Sequence, residues 1–461
     1  MVYLHLFNNE SDFNTARENN YIEPWVSATN TGNDNYRMDY NQEMIDYSII
    51  PLTFEILSDG SISWLSDNDE SSSVIEYKKN DGDWIEITAT TEGTEISVVS
   101  GDTVQFRGDN ASYYDSEEGE VKGFFGGTAC QFNLKGNIMS LIDSTGFTTD
   151  TTLQSNFTFY YFFDSCTGLT DASNLVLPAT ELADYCYYAM FDNCTSLTTA
   201  PALPATTLAE GCYSSMFEFC ESLTTAPALP ATTLAESCYS SMFAYCTGIT
   251  TAPALPATTL ANTCYDGMFY GCSNLTTAPE LPATTLTESC YSTMFAYCTS
   301  LITSPELPAT TLANYCYQYM FLNCTSLTTA PALPAATLVD NCYYSMFQGC
   351  TSLTTTPELP ATTLANGCYN SMFYGCTGIT TAPALPATTL TERCYFSMFD
   401  GCSNLNYMEC MATDISASYC TNNWVTGVQT TSGTFVKAAG MNDWTTGTSG
   451  IPENWTVQDA S

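Results

Sequence analysis

A chain of 461 residues with 49 acidic side chains against 9 basic ones carries a net charge of −40. So few cations cannot replace the counterions of a phosphate backbone or hold an anionic membrane surface, which excludes nucleic acid and such membranes as expected partners. There is no run of 18 apolar residues, and the opening MVYLHLFNNESDF has neither the basic start nor the apolar stretch of a secretory signal. With Met1 as the natural start, synthesis in a cytosol is expected.

The first 48 residues, including EPWVSATNTGNDNYRMDYN, are polar and aromatic without clear periodicity. From 49 to 137 the pattern changes. PLTFEILSDGSISWLS, VIEYKKNDGDWIEIT, TEISVVSGDTVQFRG and TACQFNLKG alternate in short runs broken by Asp-Gly and Gly-Asp. Six or seven strands are expected there, two segments reading as hairpins, in an immunoglobulin-like β-sandwich that lacks the Cys, Trp, Cys spacing.

From about residue 138 to 425 one sentence of 26 residues returns nine times. A fixed period of this length predicts a solenoid. Counting from the leading leucine as position 0, the copy at Leu208 places Cys212, Tyr213, Met216, Phe217, Cys220 and Leu223 at positions 4, 5, 8, 9, 12 and 15. At 100° per residue these constant residues fill one half of a helix, and the variable positions 2, 3, 6, 7 and 10 fill the other. A short helix over positions 1 to about 11 is predicted, with Gly271, Gly349, Gly375 and Gly401 favouring its end. The prolines that follow leave room only for a short parallel strand, Leu-Thr-Thr-Ala. Adjacent threonines of a strand point to opposite faces, which argues against the Thr-x-Thr array of an ice-binding surface. The predicted fold class is therefore an α/β leucine-rich-repeat solenoid behind an all-β sandwich. Residues 426–461 are expected to cap it, with Trp424 in the methionine column and Val425 in the phenylalanine column.

The 22 cysteines fall in two columns except for Cys130 and Cys410. Cys212 and Cys220 lie about 12 Å apart on one helix, and stacked partners such as Cys212 and Cys238 about 8 to 10 Å apart on neighbouring helices. Both separations exceed the reach of a disulfide, so buried free thiols are expected. No zinc cluster is expected, because the repeats hold no histidine.

The phrase MF-x-x-C-x-x-L followed by LP resembles the BspA-type leucine-rich repeats of bacterial surface proteins. The variant LPATTLAxxCYxxMFxGCTSLTTAPxLPATT resembles proteins of gut Bacteroidales and their bacteriophages. The resemblance spans about Phe157 to Val425 and implies adhesion or recognition without naming a ligand. The order of short N-terminal segment, sandwich and solenoid resembles phage virion proteins that attach by residues 1–48 and project the rest.

Chemistry is scarce in the sequence. His5 is the only histidine, and no GxSxG, phosphate-binding or zinc motif is present, so no enzyme and no cofactor are expected. Glu280 and Glu306 in the Pro-x-Leu-Pro turn, and the loop Ser66–Glu70, read as solvated carboxylates, with calcium the one ion they could take. Recognition remains. The threonine face is monotonous and suits a repetitive glycan, whereas the helical face varies. There Tyr315, Tyr319, Leu322 and Tyr344 form an expected apolar patch, with Tyr270, Tyr374 and Phe396 as outlying members. The expected partners are a bacterial surface protein or polysaccharide, other virion proteins through the N-terminus, or further copies of the chain. The expected location is a virion. A bacterial surface adhesin for mucin or matrix proteins is the alternative, and a structural virion decoration the third.

Overall fold

The computed structural model describes residues 45–428 and 431–460, preceded by the strands Leu6–Phe7 (β1), Val26–Asn30 (β2) and Tyr36–Tyr40 (β3). These three form an antiparallel sheet in the order β1-β3-β2 within a compact unit of their own, Met1–Asp46. Most of the proposed attachment segment, and His5 with it, lies outside the described residues.

In the second unit, Tyr47–Ser461, period-two alternation sets the first strands. β4 (Leu52–Ile56), β5 (Gly60–Leu65), β6 (Val74–Lys79), β7 (Ile85–Thr88), β8 (Thr94–Val98) and β9 (Thr103–Arg107) are followed by the short β10 (Tyr114–Asp115), β11 (Glu120–Val121) and β12 (Phe124–Phe125), then by β13 (Phe132–Asn137). Phe54, Trp64, Phe106 and Phe132 turn their rings inward and are fully buried. Of the Asp-Gly and Gly-Asp turns, the one at Asp81-Gly82 closes a hairpin, pairing β6 with β7. The other Asp-Gly and Gly-Asp turns carry the chain between two sheets, since β4 pairs with β9 and β13 while β5 pairs with β8 and β12.

The larger sheet runs β14-β13-β4-β9-β6-β7, and its edge strand β14 (Leu169–Val176) belongs to the first repeat. That arrangement departs from a self-contained immunoglobulin-like sandwich. β13 and β14 are parallel, and Gly168 permits their approach, for a Cβ there would stand 2.0 Å from the carbonyl oxygen of Cys130. The expected division after residue 137 therefore lies at the end of a strand that is paired into the repeats. Phe54, Phe125 and Phe163 meet across this junction with ring centroids 4.8 to 6.2 Å apart. One hydrophobic core continues from Leu52 to Trp455.

The repeats contain no α-helix, which corrects the helical half of the predicted fold class. Positions 1 to 12 of each coil instead form a run of four-residue turns. In the copy at Leu208, the amides of Cys212, Ser214, Met216, Glu218 and Cys220 each donate to the carbonyl three residues back. The alternate amides of Tyr213, Ser215, Phe217 and Phe219 donate across to the next coil. Every fourth residue is left-handed, with φ of 55° at Gly211, 53° at Ser215 and 56° at Phe219, the sign that a type II turn requires at its third position. The helix fails because an α-helix would direct all these amides along its own axis, and here half of them tie coil to coil. Gly271 and its equivalents take the same left-handed place and end no helix.

Four residues per turn keeps two side chains inward and two outward. Inward rings stack down the coils, with Tyr213 and Tyr239 at 5.9 Å and Phe217 and Phe243 at 5.7 Å, nearly parallel. On the opposite side the predicted strand shrinks to single parallel bridges in two columns, such as Thr251↔Thr277 and Thr233↔Thr259. Thr224, Thr225, Thr232 and Thr233 are all exposed, so adjacent threonines share a face, as isolated bridges allow and a regular strand would not.

All 22 cysteines are free and buried. The distances expected from packed helices do not apply, because coils linked by backbone hydrogen bonds sit only about 4.8 Å apart. Related cysteines in successive coils point the same way, so their Cβ atoms keep that spacing, which is wider than the roughly 3.5 to 4.5 Å a disulfide needs. The second column has a further role. Cys220, Cys246 and Cys272 donate their thiols to the carbonyls of Phe191, Phe217 and Phe243 at 3.1, 2.9 and 3.0 Å.

At the far end β15 (Tyr407–Cys410), β16 (Thr434–Lys437) and β17 (Thr456–Asp459) make a parallel sheet. Trp424 occupies the methionine position by its backbone bond from Phe399, and its ring stacks on Trp444 at 5.3 Å.

Candidate recognition groove

The turns leave positions 2, 3, 6, 7, 10 and 11 facing outward. Position 3 reads Tyr315, Asn341, Gly367 and Arg393 in four successive coils, and every one is left-handed, with φ between 54° and 59°. Large side chains at the two ends and none at Gly367 leave a depression between them. A Cβ at 367 would stand 2.3 Å from Oδ1 of Asn341, so the glycine lets that carboxamide lie against the next coil. The cavity holds about 550 Å³.

Tyr319 and Tyr344 form one wall, edge to face at 5.1 Å and 84°. Burial, and then the hydrogen bond with Tyr344, push the Tyr319 phenol up to about 12, so it keeps its proton at any physiological pH. Amides supply the rest of the lining: Gln318, Asn341, Asn366 and Asn370. Ser371 donates to Oδ1 of Asn370 at 2.8 Å and fixes that carboxamide, and the Asp340 carboxylate accepts the Asn366 backbone amide at 2.9 Å, which holds the chain there. Arg393 closes one end with its guanidinium 3.9 Å from Glu392 and 5.6 Å from the ring centroid of Tyr419.

Of the seven residues singled out from the sequence, the structure brings Tyr315, Tyr319 and Tyr344 to this groove. Leu322 is half-buried, Tyr374 is exposed and Phe396 is half-buried, and none of the three lines it. Tyr270 belongs elsewhere, in a run with Phe219, Tyr245 and Tyr297. Phe219 stacks on Tyr245 at 4.6 Å, and Tyr270 meets Tyr245 and Tyr297 at 5.3 Å each. Sequence reasoning missed that run because position 11 was assigned to a helix end. The amides sit in columns that also hold serine, aspartate and glutamate, so nothing in the sequence marks them as a group, although Arg393, the lone basic residue of the repeats, stands beside them.

Glu280 and Glu306 are exposed, and among the described residues no group of three His, Cys, Asp or Glu is placed to hold a metal ion. In the loop Ser66–Glu70, Asp67 and Asp69 accept backbone amides from Val121 and Thr91 at 2.9 and 2.7 Å, as turn-fixing carboxylates do. No described helix is long and apolar enough to cross a membrane.

Among curated proteins, none matches the chain. The profile of the BspA type leucine rich repeat region matches in six copies, over residues 149–276, 261–380 and 339–434. These segments cover more than half of the sequence and coincide with the stacked coils, so the chain belongs to the BspA-type leucine-rich repeat family.

Proposed function

We propose that this is a non-enzymatic recognition protein, a component or fibre of a bacteriophage particle whose stacked coils touch the surface of the bacterial host. The observation that carries the reading is the groove on the variable face. There three tyrosines, four amides and the one arginine of the repeats gather in a molecule whose inward and threonine columns are nearly uniform. Rigid aromatic rings and adaptable amides are the side chains from which recognition surfaces are built. The compact unit Met1–Asp46, ahead of the rest, suits attachment to a larger assembly.

The test is to label the full-length chain and measure its binding to a panel of gut bacterial cells, to mucin and to matrix proteins. Saturable binding to bacterial cells supports the host-recognition role. Binding to mucin or matrix alone replaces it with a bacterial surface adhesin, and binding to none replaces it with a structural decoration.

A further inference from the structure

We infer that the groove between Tyr315 and Arg393 is a subsite for a neutral pyranose glycan two to three sugar residues long. This rests on the recognition reading above and names its ligand class.

Three observations carry it. The first is shape. Position 3 of four successive coils spans three steps of about 4.8 Å, roughly 14 Å in all, which is longer than one sugar ring and matches a short oligosaccharide lying along the stack. The missing side chain at Gly367 gives that track its depth. The second is the pairing of rings with amides. The T-shaped Tyr319 and Tyr344 present an apolar wall for the C–H face of a pyranose. A carboxamide offers two donors and an acceptor, and those of Gln318, Asn341 and Asn366, beside an Asn370 whose Oδ1 already accepts from Ser371, match vicinal hydroxyls that both give and take hydrogen bonds. The third is charge. A net charge of −40 repels anions from the surface, and the one cation of the groove already faces Glu392 at 3.9 Å. Glu392 and Arg393 both line the groove and cancel in sum, so the groove carries no net charge to select an ion.

The column itself supplies the blocking variant. Tyr185, Tyr315 and Tyr419 hold the same position with φ of 53°, 58° and 57°, so Gly367→Tyr, at φ 59°, places a residue the backbone accepts into the deepest part of the track. The full-length protein and the variants Gly367→Tyr and Tyr344→Ala would be titrated calorimetrically. The probes are lactose, cellotriose, maltotriose, mannotriose and chitotriose, the parent monosaccharides, and sialyllactose and trigalacturonate as acidic probes.

The expected result is binding of at least one neutral oligosaccharide at least tenfold tighter than its monosaccharide, no gain from a carboxylate, and loss of about tenfold in Tyr344→Ala. Gly367→Tyr, whose Cβ pushes the Asn341 carboxamide aside, abolishes binding while cooperative melting is retained. Preference for the acidic probes, or neutral binding that survives Gly367→Tyr, overturns the inference. If no sugar binds while bacterial cells are still bound, the glycan subsite is wrong and surface recognition stands. If neither sugars nor cells, mucin and matrix are bound, both readings fall together.

Discussion

The two outer faces of each coil are built by the same backbone and obey opposite rules. On one, the bridging column from Thr199 to Thr381 repeats in steps of 26 without a substitution. On the other, position 3 reads Tyr, Gly, Ser, Thr, Ser, Tyr, Asn, Gly, Arg and Tyr from Tyr185 to Tyr419. A threonine in the bridge column packs against its own copy at about 4.8 Å, so any change is felt by two neighbours. At a left-handed turn residue the backbone bond to the next coil is made regardless of the side chain, which is free to differ. Variation is concentrated on the face where it disturbs packing least, and that face carries the groove.

The sharpest way to break this contrast between fixed and free positions is to charge an inward one. Met268 is fully buried, and Met268→Asp should cost on the order of 4 kcal/mol or more by leaving a carboxylate without a partner in the core. Thermal unfolding followed by circular dichroism reads this as loss of cooperative melting. Asp266, two residues away, faces outward but is not a free surface carboxylate, since it accepts from Thr293 Oγ1 at 2.9 Å. Asp266→Ser should cost no more than about 1 kcal/mol. Equal losses at both positions would erase the distinction.

Which side chains face inward was legible in the sequence, and the secondary structure was not. Constant residues at positions 4, 5, 8, 9 and 12 are buried as expected, while position 1 is only half-buried in every copy and position 0 is half-buried at Leu182 and Leu208. A helix would also have brought position 11, at 20°, onto the buried half and kept it apolar. That position holds Gly271, Asn323, Gly349 and Gly375 in four copies. A strict period of four, with glycine or asparagine recurring at the third place, was the sign of successive turns. The groove was legible in its three tyrosines. Its depth was not, since a missing side chain at Gly367 matters only once Asn341 is known to lie over it.

The thiol ladder should give the next largest effect. Cys246→Ala removes a fully buried sulfur that donates to Phe217 at 2.9 Å, and should cost about 1 to 2 kcal/mol in denaturant unfolding. A smaller, pH-dependent effect belongs to Asp192. Burial, with the nearby Asp164 and Glu218 charges, raises its carboxyl from 3.8 to about 7. The folded form then binds the proton more tightly than the unfolded one, so the contribution is fully present below about pH 4 and is lost as pH rises through about 7. Asp192→Asn should flatten that fall and add about 1 kcal/mol at pH 8, a figure reduced for its partial exposure to solvent.

The smallest effect bears most directly on whether the turn face is free. Ser241 and Ser289 hold left-handed φ of 53° each, a conformation that costs a residue with a Cβ roughly 1 to 2 kcal/mol. Replacing each by glycine removes that strain, and gives back about 0.4 to 1 kcal/mol through the greater freedom of the unfolded chain. The net gain is about 0.5 kcal/mol per site. The two lie two coils and one turn apart, more than about 10 Å, so the double variant should gain about 1 kcal/mol by addition, read as a higher denaturant midpoint at unchanged slope. A loss instead would mean that the outward side chains at these turns contribute packing worth more than the strain. The variable face would then be held in place by its neighbours much as the threonine face is, and its variety would have to be explained by what it binds.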